Sequence, residues 1–205
     1  MKTVAKPFEA ILLVGPTGAG KTPLGQWLEQ HGVFGGTCHH FDFGANLRAV
    51  VAAGTNRAYN REEIAFLRRV LSQGALLEQE SFHLATRILK GFLLRRGVQS
   101  DHWLVLNGLP RHVGQAQGLE SIVHVAVVVH FECDGATIRK RLKLDSGGDR
   151  VGRLDDHADL VGRKLAIYEE RSRPLIEHYR ERGARVIEMK VDVTTRPEDI
   201  AVVLG

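Results

Sequence analysis

Residues Gly15 to Thr22 read GPTGAGKT and follow directly on the apolar run Ala10-Ile11-Leu12-Leu13-Val14. The pattern G-x-x-x-x-G-K-[ST] behind a short buried strand commits this part of the chain to a strand–loop–helix unit. Its glycines let the backbone reverse with the N–H groups turned inward, a concavity suited to phosphate oxygens. Gln26, Trp27 and Leu28 continue into a predicted helix, whose positive N-terminal end lies beneath the same oxygens. Lys21 then reaches the β- and γ-phosphates as a mobile point charge, and Thr22 offers its hydroxyl to Mg²⁺. Gly15, Pro16, Thr17, Gly18, Ala19, Gly20, Lys21 and Thr22 are therefore read as the binding loop for a nucleoside triphosphate.

At 205 residues the chain suits one α/β domain carrying inserts. With 43% hydrophobic and 25% charged residues it has the means to bury a full core. The formal net charge of +4 raises the question of nucleic acid. The basic residues are scattered or mixed with acids, as in Arg61-Glu62-Glu63 and Glu169-Glu170-Arg171, and a phosphorylated small substrate accounts for a mild excess equally well. Cys38 and Cys133 are far apart and show no metal-type spacing, so both are expected as free thiols in a reducing cytoplasm. His39-His40 is read as a feature of a strand edge and not as a metal site. No secretory signal and no membrane span are expected.

Strands are predicted near Ala10 to Val14, Thr37 to Phe41, Trp103 to Leu106, Val123 to Phe131 and Arg185 to Met189. Helices are predicted over 20–31, 45–53, 62–72, 77–94, 115–119, 135–144, 158–182 and 197–204. Apolar strands alternating with helices argue for a buried parallel sheet with helices on both faces. Two stretches fit a core poorly. One is the all-helical excursion from Gly44 to Gly97; the other is DSGGDRVGR, Asp145 to Arg153, which is glycine-rich and polar.

These excursions, with what borders them, resemble the nucleoside monophosphate kinase family, adenylate kinase most of all. Besides the phosphate loop, the resemblance rests on four segments. His40 to Arg48, HFDFGANLR, parallels the family's Thr-Gly-Asp-x-Leu-Arg opening of the acceptor lobe. Asn107-Gly108-Leu109-Pro110-Arg111 with Gln115-Ala116 is similar to Asp-Gly-Phe-Pro-Arg-x-x-x-Gln-Ala. Gly152-Arg153-Leu154-Asp155-Asp156 looks like the close of a short lid, before a helix with Tyr168 and Pro174-Leu175-Ile176. Val191-Asp192-Val193-Thr194 resembles the loop beside the donor adenine.

The resemblance implies a P-loop NTPase fold: a core of 1–43, 98–144 and 154–205, a helical monophosphate-binding lobe over 44–97 and a lid over 145–153. It also implies ATP and Mg²⁺, nucleotides as the partners, no nucleic acid or membrane, and a monomer. Gly44, Arg48, Gly108, Arg111 and Gln115 would hold the acceptor, the arginines by forked contacts to phosphate and Gln115 by its amide. Arg141 and Val193 would lie at the donor adenine. Lys21, Arg111, Arg153 and Lys164 would carry the transfer itself, with Arg153 folding in from the lid.

Departures from the family pattern accompany these matches. Asn107 replaces an acid that helps to hold Mg²⁺, and Phe43-Gly44-Ala45 replaces Thr-Gly-Asp, while Asp42 stands three residues before Ala45 and would restore a charge. Lys164, with Arg163 before it, occupies the place of a phosphate-binding arginine, and Arg150 would replace a lid arginine missing near Asp145. The expected reaction is transfer of the γ-phosphate of ATP to an AMP-like monophosphate. The alternatives are a kinase acting on the hydroxyl of a small metabolite, with Asp42 as proton acceptor, or a degenerate kinase that binds ATP only.

Overall fold

Five Val-, Ile- and Leu-rich segments form one parallel sheet: β1 (Phe8–Val14), β2 (Cys38–Asp42), β3 (Trp103–Asn107), β4 (Val123–Glu132) and β5 (Arg185–Lys190), in the order β2-β3-β1-β4-β5. The structure is a computed structural model, and the residues it describes are 6–146, 148 and 158–204. The helices are α1 (Lys21–His31), α2 (Phe43–Ala53), α3 (Arg61–Gln73), α4 (Phe82–Arg96), α5 (Val113–Leu119), α6 (Gly135–Leu144), α7 (Ala158–Ile167), α8 (Leu175–Glu181) and α9 (Pro197–Ala201). No helix among the described residues is long and apolar enough to cross a membrane.

Alternation along the strands feeds two cores. Ala10, Leu12 and Val14 of β1 join the larger one, packed by α2, α3, α4, α5 and α8, while Ile11 and Leu13 join the smaller one under α1 and α9. Burial of both strand faces is what a parallel sheet requires, and it explains the near-continuous apolar runs in the sequence. In β4 the faces change over. The register passes from Ala10↔Val125 to Ile11↔Val127, so that Ala126 is an extra residue. A slip of one residue sends every later side chain to the opposite face.

All five strands match the predicted ones with ends moved by a few residues, whereas several helix limits need correction. The helix expected from residue 45 starts at Phe43, because the Asp42 side chain accepts from the Ala45 N–H at 2.8 Å and caps it. The helix over 115–119 starts at Val113, after the cap residue His112. The helix expected over 77–94 begins only at Phe82, after a 3₁₀ turn Gln79–Ser81. The single helix expected over 158–182 is three pieces: α7, a π-helical turn Tyr168–Ser172, and α8. Pro174 supplies the reason. It lacks the N–H that would bond four residues back, and the turn before it widens so that the Arg173 N–H reaches the Tyr168 carbonyl at 2.8 Å. The last helix ends at Ala201, short of residue 204.

Candidate active site

The carboxyl ends of β1, β2 and β3 meet at one cleft, the usual place for ligands in an open α/β sheet. At its floor the loop after β1 turns through Gly18 and Gly20, whose φ values of 84° and 98° lie in the left-handed region that glycine tolerates. The Lys21 ammonium folds back into this loop and donates to the Gly15 and Pro16 carbonyls, both at 2.7 Å. Gly15, Thr17, Gly18, Gly20, Lys21 and Thr22 line the cavity, whose volume is about 220 Å³. Ala19 does not: its methyl is buried in the smaller core. Pro16 contributes a carbonyl to Lys21 and is not on the wall.

Beside the loop stands a cluster assembled from three elements. Thr22 Oγ1 donates to Asp42 Oδ2 at 3.0 Å, and Asn107 Nδ2 donates to Thr22 Oγ1 at 3.0 Å and to Asp42 Oδ2 at 3.1 Å. The sheet dictates this meeting, since Asp42 and Asn107 are paired in the β2–β3 register. The Thr22 hydroxyl and the Asp42 carboxylate are hard oxygen donors of the kind Mg²⁺ selects, so the pair fits that ion, with Asn107 turning its Nδ2 to both and one charge where the family pattern has its acid on the neighbouring strand. Asp42 Oδ1 is committed to the α2 cap.

On the other wall are Gly44, Arg48, Gly108, Arg111 and Gln115. A Cβ on Gly44 would sit 3.4 Å from Arg48 Nη1, so glycine there leaves the guanidinium room. Gly108 takes φ 80° and turns the chain from β3 toward Arg111. Burial lowers the Arg111 guanidinium to about 10, with no other contribution, which leaves it a cation at neutral pH. Among the described residues no acidic side chain forms an ion pair with it. Gln115 is buried, and its amide is already in use: Oε1 accepts from the Arg111 N–H at 2.8 Å and Nε2 donates to the Leu77 carbonyl at 2.8 Å. One amide N–H remains for a ligand.

Arg141 is only 5% exposed and acts as a tie between loops. Its Nε donates to the Gly18 carbonyl at 3.1 Å, and its Nη1 to the carbonyls of Asp192 at 2.5 Å and Val193 at 3.4 Å. Val193 thus meets Arg141 through its backbone carbonyl and is not on the cavity wall. Lys164 of α7 also lines the cleft. Of the lid expected over 145–153, Gly147 and 149–153 lie outside the described residues, and with them Arg150 and Arg153. No group of three or more His, Cys, Asp or Glu among the described residues could hold a metal ion. His39 Nε2 in fact lies 2.9 Å from His102 Nδ1.

Sequence reasoning missed Tyr168 and Ser172 as members of the site, although both line the cleft. Pro174 was the available signal, because a proline inside a helical pattern forces the preceding turn to open.

A model of the adenylate kinase family matches residues 13–184. The chain is 33% identical over 181 residues to an adenylate kinase of Synechococcus sp. (strain CC9311), covering 85% of this chain and 86% of that protein. It is 34% identical over 182 residues to an adenylate kinase of Parasynechococcus marenigrum (strain WH8102), covering 86% and 87%. Among solved structures, a gluconokinase from Sinorhizobium meliloti 1021 superposes with a TM-score of 0.51 at 17% identity, over 96% of this chain and 90% of that one, a likeness of fold alone. With a phosphate loop, a cleft lined by Arg48 and Arg111 and this match over most of its length, the chain belongs to the adenylate kinase family of ATP-dependent nucleoside monophosphate kinases.

Proposed function

We propose that the chain moves the γ-phosphoryl group of ATP to the phosphate of an AMP-like nucleoside monophosphate, giving two nucleoside diphosphates. The observation that carries this reading is Arg111: a half-buried guanidinium, without an acidic partner among the described residues, on the same cleft as Lys21. A cation in that setting favours an anionic ligand, and phosphate matches the fork of its N–H groups.

Two polyanions must be brought into line, so positioning and charge compensation do most of the work. The inward N–H groups of the loop and the Lys21 ammonium would receive the donor phosphates, with Lys21 exchanging the Gly15 and Pro16 carbonyls for phosphate oxygens. Mg²⁺ bound with ATP would neutralise part of the developing charge. Thr22 and Asp42 would hold it, with Asn107 oriented by both. Arg48 and Arg111 would grip the acceptor phosphate, Gln115 would offer its remaining N–H to the base, and Lys164 would compensate charge. The acceptor oxygen is already ionised near neutral pH, so no general base is required.

The hydroxyl-acceptor alternative needs Asp42 as a free proton acceptor. Both of its oxygens are engaged, one by Ala45 and one by Thr22 and Asn107, and this supports the metal-side role instead. An assay of Mg²⁺·ATP against AMP, CMP, UMP, GMP and their deoxy forms tests the proposal. Turnover with at least one of them is expected, and silence across the panel with ATP bound would refute it.

A further inference from the structure

The π-helical turn between α7 and α8 makes three ties that no motif predicts. Tyr168 Oη lies 2.9 Å from His130 Nε2. His130 can reach it only because of the extra residue Ala126 in β4; strict alternation from Val125 would aim His130 at the opposite face, under α1. Arg171 forms a forked ion pair with Glu78, at 3.2 and 3.0 Å, next to the Leu77 carbonyl that holds Gln115. Ser172 Oγ donates to the Arg111 carbonyl at 2.9 Å.

The third tie bears on catalysis. The Arg111 N–H is held by Gln115 at 2.8 Å and its C=O by Ser172, so both sides of the residue's backbone are fixed. Its guanidinium, by contrast, has no carboxylate among the described residues to hold it in place. Two-point contact with a phosphate tolerates little displacement of the fork. Among the described residues, the contacts that fix Arg111 act on its backbone. Ser172 is buried, lies on a turn anchored to β4 by Tyr168 and to the acceptor lobe by Arg171, and supplies the hydroxyl that does so. π turns recur at functional sites for this kind of reason.

We propose that the Tyr168–Ser172 turn is the positioning element of the acceptor grip, with Ser172 the positioning residue for Arg111. This rests on the phosphoryl-transfer reading. Ser172 touches no reacting atom; it acts through Arg111, on a turn that Arg171 ties to Glu78.

The test compares wild type, Ser172→Ala and Ser172→Thr, reading the kinetic constants for acceptor and ATP separately and the amide hydrogen exchange of residues 108–115. Ser172→Ala is expected to lower kcat/KM for the acceptor about tenfold, with KM for ATP unchanged and exchange accelerated. Ser172→Thr, which keeps the hydroxyl, is expected to restore both. Wild-type acceptor kinetics and wild-type exchange in Ser172→Ala would overturn the proposal. So would equal losses for ATP and acceptor that Ser172→Thr fails to recover. Absence of transfer to any monophosphate by the wild type would count against the functional reading alone, since the exchange comparison still decides whether Ser172 holds the Arg111 loop.

Discussion

Asp42 and Asn107 are partners in the β2–β3 ladder and their side chains meet, Asn107 Nδ2 lying 3.1 Å from Asp42 Oδ2. Asn107→Asp would set two carboxylates at that separation, where both cannot stay ionised without a cation between them. The variant is expected to lose about 2 kcal/mol of stability in the absence of divalent ions, from a lost hydrogen bond to a charged group and a new like-charge contact. Mg²⁺ should recover most of this loss. Asp42→Asn should instead weaken the Mg²⁺ dependence of ATP binding, and the double exchange Asp42→Asn with Asn107→Asp should restore it. Thermal unfolding and ATP titrations with and without Mg²⁺ read both effects. A double variant no better than Asp42→Asn would refute the idea that one carboxylate has changed strands.

Gly25 in α1 lets that helix lie against β2. A Cβ there would fall 2.3 Å from the His40 ring. Glycine to alanine inside a helix ordinarily stabilises by about 1 kcal/mol. Here the overlap dominates, and Gly25→Ala should destabilise by about 1–3 kcal/mol, the usual cost of overpacking. Chemical denaturation measures it; a stabilised variant would contradict the packing described.

Burial is the leading cause that holds His39, His40, His112, His130 and His178 below the ordinary value of 6.5. In the folded chain these rings stay neutral where the unfolded chain would take up protons. Their contribution to stability is therefore complete above about pH 6.5 and is lost as pH falls. Tm should drop between about pH 7.5 and about pH 5.5, with each such ring adding at most about 1.4 kcal/mol per pH unit. Glu63 and Glu78, held below 4.5 by Arg87 and Arg171, lose their contribution only at lower pH, so that window isolates the histidines. His40→Gln should flatten the slope; an unchanged slope would exclude His40 from it.

The strands and the phosphate loop were legible because local pattern and global fold agree there: β1 is apolar throughout, and the glycines after it serve no other conformation. Arg48, Arg111 and Gln115 were legible through short motifs at strand ends. The commitment of the Gln115 amide to the Leu77 carbonyl was not, because it depends on a contact across 38 residues. The aim of His130 depends on a bulge, and the opening of the helix after Tyr168 on how the chain accommodates Pro174. Neither leaves a periodic trace, since each is a departure from period.

Whether Arg111 grips an acceptor phosphate is decided by phosphotransfer from ATP to the best monophosphate in wild type, Arg111→Ala and Arg111→Lys. Arg111→Ala is expected to lose about 100-fold or more, with ATP affinity unchanged, and Arg111→Lys, which keeps the charge but not the fork, to recover only part of it. Transfer by Arg111→Ala at the wild-type rate would contradict this role.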